Sequence, residues 1–130
     1  MTAMTFRICN AVIALGCLLA ASSAWAHHST TAVFDFDKRV TLTGTLTKVD
    51  WRNPHTEFTL EAKGDTGQAE SWLIESISPS SWARRKVTKA DFEKAIGQTV
   101  TVEVSPARDG PRFVLLRRMT FADGKSVAPQ

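Results

Sequence analysis

Apolar and polar side chains alternate along five segments of the chain, and such alternation is typical of β-strands with one buried face. Val and Thr dominate the first segment, in which Gly44 predicts a bend or a bulge. Asn53-Pro54 and the run Gly-Asp-Thr-Gly at 64–67 predict the turns that separate the first three segments. The five predicted strands span residues 40–51, 56–63, 68–77, 98–105 and 113–121.

A helical segment is predicted between the third and fourth strands. Ser78-Pro79 is a typical helix start, Thr88 can cap a second turn, and Gly97 suits the position after a helix end. Three strands, a helix and two further strands follow one another in the oligonucleotide/oligosaccharide-binding (OB) barrels. The sequence therefore predicts a mainly β fold, a small five-stranded OB-like barrel with one short helical segment between strands 3 and 4. A β-sandwich with a helical crossover is the alternative.

The first 26 residues have the pattern of a cleaved secretory signal peptide. Arg7 supplies the positive charge, residues 8–21 are almost entirely apolar, and Ala24 and Ala26 are the small residues that a signal peptidase recognises. A lipoprotein signal that ends at Cys17 is the alternative. Because the apolar run is shorter than the roughly 20 residues of a membrane-spanning helix, we expect no stable membrane span after processing. The pattern predicts a periplasmic or secreted protein.

Processing at this site divides the remaining chain into three predicted parts. Residues 27–38 are an extended leader, residues 39–125 are the barrel domain, and residues 126–130 are a polar tail. Within the leader, residues 32–36 alternate like an edge strand that can run back alongside the first strand.

Composition narrows the chemistry that the protein can perform. Of its 130 residues, 43% are hydrophobic and 22% are charged, which is an ordinary balance for one globular domain, and the formal net charge is +3. Cys9 and Cys17 leave with the signal peptide, so the mature chain has no thiol for a disulfide, a thiolate metal site or a nucleophile. Both signs of charge are mixed along a chain predicted to be exported, so no nucleic-acid partner is expected.

The histidines carry the most specific chemical signal. The mature chain would begin His27-His28, and its remaining histidine is His55. The α-amine and the imidazole Nδ1 of an N-terminal histidine can chelate one cation, and a second imidazole completes a three-nitrogen set, a histidine brace, that favours Cu(II). His27, His28 and His55 are therefore the candidate metal ligands and copper is the candidate cofactor. Two alternatives stay open: a local site formed by the amine with the His28 amide nitrogen and imidazole, or histidines with no metal role.

A second hypothesis needs no metal. In OB barrels the loops after the first and the fourth strand flank the ligand-binding face, which a small polar ligand or an envelope protein could contact here. Glu75 can form an ion pair with Arg84 or Arg85 that joins helix to sheet, a role we favour over ligand binding by the pair. The candidate residues of this surface are Trp51, Asn53, Glu75, Arg84, Arg108 and Arg112.

The spacing of reactive residues does not indicate a catalytic site. The sequence contains no Ser/His/Asp spacing of a hydrolase, no glycine-rich phosphate loop and no motif of paired catalytic carboxylates. Composition leaves an enzymatic activity open, but nothing in the sequence favours one.

Several motifs together resemble those of DUF6152, a family of exported bacterial proteins without an assigned activity. The family usually has Pro-Asn and, later, Arg-Arg-Gly before Trp-Thr, where this chain has Pro79-Ser80 and Arg84-Arg85-Lys86-Val87-Thr88. The missing glycine leaves the local path of the chain open, and the resemblance implies a domain and an exported location but no activity. The matching motifs are A-H-H-S at 26–29, F-D-F-D-K at 34–38, V-T-L-T-G-T-L-T-K-V at 40–49, W-R-N-P-H at 51–55, W-L-I-E-S at 72–76, P-A-R-D-G at 106–110 and D-G-K at 123–125.

Overall fold

The five predicted strands are all present, and they pair in the order that closes an OB barrel. A computed structural model describes residues 30–64 and 66–130. β1 pairs antiparallel with both β2 and β4, β2 with β3, and β4 with β5, while a short parallel pairing of β3 with β5 closes the ring. The prediction of a mainly β, OB-like barrel is confirmed, and the sandwich alternative is not needed. The strands are β1 (Val40–Asp50), β2 (Glu57–Lys63), β3 (Ala69–Glu75), β4 (Thr99–Pro106) and β5 (Phe113–Thr120).

The apolar positions of the alternating pattern face the barrel interior, which they fill with branched aliphatic side chains. Irregular pairing between Leu46 and Lys48 in β1, and at Glu103/Val104 in β4, shifts the register without breaking the ladder. The second shift explains why Leu116 and Met119, three residues apart, are both buried. The buried barrel residues are Leu46, Phe58, Leu60, Ala62, Ile74, Val100, Val102, Val104, Val114, Leu116 and Met119.

Two short helices connect β3 to β4 and carry aromatic side chains into the core. The first, α2 (Pro79–Arg84), begins after Ser78, whose hydroxyl accepts a hydrogen bond from Ser81 N–H at 3.2 Å. The second, α3 (Lys89–Glu93), places Phe92 among four aromatic rings, one of which is that of Phe121. The ring centroid of Phe92 lies 4.8 Å from Phe58, 5.2 Å from Trp82 and 5.9 Å from Trp51. Phe92 and Trp82, both fully buried, therefore seal the barrel against solvent.

The leader does not form the predicted edge strand beside β1, and that prediction is wrong. Its first turn is a short helix, α1 (Thr30–Val33), and Asp35 then turns the chain, accepting hydrogen bonds from the backbone N–H groups of Asp37 and Lys38. Phe34 forms an isolated antiparallel bridge with Ala107 instead. The alternation of residues 32–36 was misleading because a turn-forming aspartate lies within it.

The predicted polar tail, residues 126–130, begins with a short strand. Ser126–Val127 forms a sixth strand, β6, which pairs antiparallel with the end of β5 through Met119 and Thr120. Among the described residues, no helix has the length and apolar character that crossing a membrane requires.

Gly44 and Thr45 are the two residues of β1 that are aligned with partners on both sides, and those of Gly44 are Ala62 in β2 and Val100 in β4. A Cβ atom at this position would lie 2.8 Å from the carbonyl carbon of Glu61 and 2.9 Å from Ala62 Cα, with the Glu61 oxygen closer still. These neighbours are backbone atoms, so they cannot move aside without breaking the ladder. The bend predicted at Gly44 therefore depends on the absence of a side chain.

We expect Gly44→Ala to destabilise the domain by about 2–3 kcal/mol, because the added methyl overlaps the backbone of β2. Urea unfolding followed by circular dichroism measures this change. Thr43→Ala is the matched control: it removes one exposed hydroxyl pair with Thr101 and should cost less than about 1 kcal/mol. Equal losses in the two variants would contradict the close approach at Gly44.

Lys86, where the resemblance to DUF6152 implies a glycine, adopts the backbone conformation that glycine favours. Its φ angle is 59°, in the left-handed region. Lys86 N–H donates to Ala83 O at 2.9 Å and Val87 N–H donates to Trp82 O at 3.1 Å, the bonding pattern of a Schellman helix end. The chain path at the end of α2 is therefore the one that a glycine would take.

We expect Lys86→Gly to stabilise the domain by about 0.5–1 kcal/mol. Relief of the left-handed strain gains about 1–2 kcal/mol, and the greater freedom of glycine in the unfolded chain takes back about 0.5–1 kcal/mol. Thermal and urea unfolding measure the difference. Arg85→Gly, at φ −91°, is the control and should destabilise, since no strain is relieved there; a loss of stability in both variants would refute the strain.

Candidate functional site

His55 lies in the loop that joins β1 to β2, and backbone hydrogen bonds hold this loop against the end of β3. Thr56 N–H donates to Ile77 O at 3.1 Å, and Ser76 N–H donates to Thr56 O at 2.8 Å. Both bonds extend the β2–β3 ladder beyond its last aligned pair, Glu57 with Glu75. The His55 side chain follows a cis Asn53–Pro54 peptide bond and remains 45% exposed.

One ring nitrogen of His55 has a defined partner. Nδ1 lies 3.1 Å from the backbone oxygen of Ser76. Because a carbonyl oxygen only accepts hydrogen bonds, Nδ1 carries the proton and donates it. In the neutral ring the lone pair is then on Nε2, and metal-bound histidines commonly have this arrangement, one nitrogen donating to a carbonyl and the other binding the ion.

Glu75 lies beside the same ring. Its Oε1 is 3.7 Å from His55 Nδ1, and its side chain is only 17% exposed. Burial raises the pKa of Glu75, the neighbouring Glu57 raises it further, and His55 acts in the opposite direction. Metal-bound histidines commonly have a carboxylate of this kind as an outer partner.

Three carboxylates surround this end of the sheet. Glu57 is aligned with Glu75 across the β2–β3 ladder. Arg52 places its Nη2 3.4 Å from Asp50 Oδ2 and 3.5 Å from Glu57 Oε2. Arg52 therefore offsets part of the negative charge of the three carboxylates. The His55 ring faces the negative charge that remains. We refer to His55, Glu75, Glu57, Asp50 and Arg52 as the His55 cluster.

The sequence analysis did not identify Glu57 as a site residue, and it missed the place of this residue beside Glu75. The predicted turn at 64–67 would align Lys63 with Gln68 and Glu57 with Ile74. In the structure Lys63 is aligned with Ala69, and this shift by one residue brings Glu57 to Glu75. The cluster is therefore a consequence of the register of one hairpin.

The ion pair predicted between Glu75 and Arg84 or Arg85 is absent from the described residues, and that prediction is wrong. Arg84 donates to Ser81 Oγ at 2.8 Å and Arg85 donates to Ser81 O at 3.1 Å, so both guanidinium groups bind their own helix turn. Glu75 Oε1 instead lies 3.7 Å from Nδ1 of the His55 ring.

The remaining candidates of the ligand-binding surface lie in two places. Trp51 packs on Phe92 and Asn53 is exposed in the His55 loop. In the loop after β4, Arg108 Nε donates to Thr31 O at 3.3 Å. Arg112, at φ 64°, lies 3.4 Å from Glu70 Oε1. A ligand-binding role of these residues stays a prediction.

His27 and His28, the other two candidate ligands, lie outside the described residues. Within residues 30–64 and 66–130, no group of three or more His, Cys, Asp or Glu side chains has the geometry of a metal site. The described residues therefore provide one imidazole ligand for a metal site but not a complete ligand set.

The family model for DUF6152, described as a family of unknown function, matches residues 15–116. The chain belongs to this family. The match spans β1 to β4, the His55 cluster and the first half of β5, so most of the fold and the whole cluster lie within the family domain. Neither a curated protein nor a solved structure matches the chain.

We expect the neutral His55 ring to be protonated on Nδ1, because its partner there is a carbonyl oxygen. Long-range ¹H–¹⁵N correlation spectra, recorded at a pH where the ring is neutral, distinguish the two nitrogens by their chemical shifts. A His55 ring protonated on Nε2 would contradict the hydrogen bond to Ser76. A single-histidine variant, His27→Ala with His28→Ala, isolates the signals of His55.

Proposed function

We propose that this DUF6152 protein is an exported, periplasmic domain that binds copper through the amine and imidazole of a processed His27 together with His55. The observation that carries the proposal is the state of the His55 ring. Its Nδ1 proton is held by Ser76 O, which leaves Nε2 as a preoriented ligand on a half-exposed side chain. His28 is an additional candidate ligand.

The attachment of the leader supports this proposal. Arg108 N–H donates to Val33 O at 2.8 Å, and the ring of Phe34 lies 5.1 Å from that of Phe113. Phe113 is aligned with Leu73, two residues before Glu75 in β3. The chain is therefore fixed near Leu73 of β3, and the three Cα–Cα steps from His27 to Thr30, where α1 begins, span up to about 11 Å when extended.

The chemistry of the donors favours Cu(II) over other divalent ions. Three nitrogen ligands suit the tetragonal geometry of Cu(II), which also stands at the top of the divalent affinity order. Glu75, beside the Nδ1 edge of His55, would act as an outer partner that increases the basicity of the ring. Such a site could carry or buffer copper, or it could exchange electrons.

We expect the mature protein with an authentic His27 terminus to bind one equivalent of Cu(II) with a nitrogen-rich electron paramagnetic resonance spectrum. One extra residue before His27 removes the chelating amine, and His55→Ala removes the distant imidazole. Each change should weaken copper binding by about 100-fold or more, the upper range for loss of a supporting group around a metal. Competition titration with a chelator of known affinity measures the change.

Two controls separate this site from a local one. His28→Ala removes the imidazole of the local amine–amide–imidazole mode and should leave binding through His27 and His55 almost unchanged. A peptide of residues 27–34 lacks His55 and should bind more weakly than the protein. Equal affinities of peptide, His55→Ala protein and unmodified protein would reject the proposal in favour of the local mode.

A further inference from the structure

A cavity of about 420 Å³ lies between α3 and the hairpin that joins β5 to β6. This volume is in the range of small-molecule sites. Its walls are formed by some of the residues in the segments 86–98 and 121–127, and none of these residues belongs to the His55 cluster. The cavity is therefore independent of the proposed copper site.

The floor of the cavity is apolar. Phe121 is half-buried, and its ring centroid lies 6.0 Å from that of Phe92, the aromatic centre of the core. Val87 and Val127 pack against the same core, and buried Ala95 adds a small side chain to the wall. A planar or aliphatic body of a ligand would gain burial against these side chains.

The charges on the rim do not cancel. Lys94 Nζ lies 3.0 Å from Asp91 Oδ1, and Lys125 Nζ lies 3.6 Å from Asp123 Oδ2. Asp91 also accepts hydrogen bonds from the N–H and the hydroxyl of Thr88, which lower its pKa to about 2. Both carboxylates are therefore ionised and already paired, so they leave no negative charge for a cationic ligand.

Lys86 is the third lysine that lines the cavity, besides Lys94 and Lys125. Within the described part of the chain its ammonium forms no ion pair, although it lines the cavity beside Val87. The left-handed backbone at Lys86 costs about 1–2 kcal/mol relative to an ordinary conformation. The chain thus carries a positive charge at a position where glycine would be more stable and would supply none.

We propose that this cavity binds a small organic anion with an apolar body, an aromatic or aliphatic monocarboxylate, whose carboxylate pairs with Lys86. The apolar floor receives the body, and the unpaired ammonium selects the charge. Lys94 and Lys125 strengthen the positive potential at the rim while remaining paired to their aspartates.

Titration with naphthalene-2-carboxylate, followed by ¹H–¹⁵N spectra of the full mature protein, tests the proposal. We expect saturable shifts at Ala95, Phe121, Ala122 and Val127, and binding about tenfold weaker for naphthalene-2-carboxamide, which lacks the charge. Shifts scattered over the surface, an absence of saturation, or equal affinity for the two compounds would overturn the proposal.

Lys86→Gly separates recognition from folding, because it removes the cation from a variant that should be more stable than the unmodified protein. Its affinity for the carboxylate should fall about tenfold, while its affinity for the carboxamide should not change. Lys89→Met is the matched control: Lys89 pairs with Glu93 at 2.9 Å and does not line the cavity, so binding should persist. Unchanged carboxylate binding by Lys86→Gly would refute the role of Lys86.

Discussion

Closure of the barrel depends on the close approach of β1 and β2 at Gly44. The first half of β1 pairs with β4 and the second half pairs with β2, and Gly44 is aligned with both neighbours. Where the two ladders overlap, the backbone of β1 at Gly44 lies so close to that of Glu61 and Ala62 that a side chain does not fit. The direction of β1 beyond this point decides where the β1–β2 loop, and with it His55, is placed.

The candidate site is built where ladders end. Beyond the last aligned pair, Glu57 with Glu75, the backbone groups of Thr56, Ser76 and Ile77 still require partners. They bond to one another, and the second lone pair of the Ser76 oxygen is available to His55 Nδ1. The ring orientation is thus fixed by main-chain atoms, so it does not depend on the identity of a neighbouring side chain.

Periodicity was sufficient to predict the strands because each one buries a single face, and the position of the helical segment followed from Ser78-Pro79 and Thr88. The leader could not be predicted in the same way. Its alternation includes Asp35, whose side chain competes for backbone N–H groups and turns the chain. The strand β6 was missed because two residues are too few to show a period.

The partners of polar side chains were harder to predict than the fold. The sequence separation of Glu75 and Arg84 permits an ion pair. Arg84 instead donates to Ser81, three residues away on its own helix, because this contact costs less conformational entropy. Glu57, by contrast, meets Glu75 through hairpin register alone. That register differs by one residue from the one that the predicted turn at 64–67 gives, so register as well as competition among neighbouring donors and acceptors required coordinates here.

The two candidate sites differ in the sign of their local charge. In the His55 cluster, with Lys48 beside Asp50, three carboxylates face two cations, whereas three lysines face two aspartates around the cavity. At physiological ionic strength charges are screened beyond about 8 Å, so a ligand responds to the set of groups around it and hardly to the net charge of the chain. A small excess of positive charge over the whole sequence is therefore compatible with a cation at one site and an anion at the other. The local arrangement, set by strand register at His55 and by a left-handed lysine at the cavity, determines which ion each can hold.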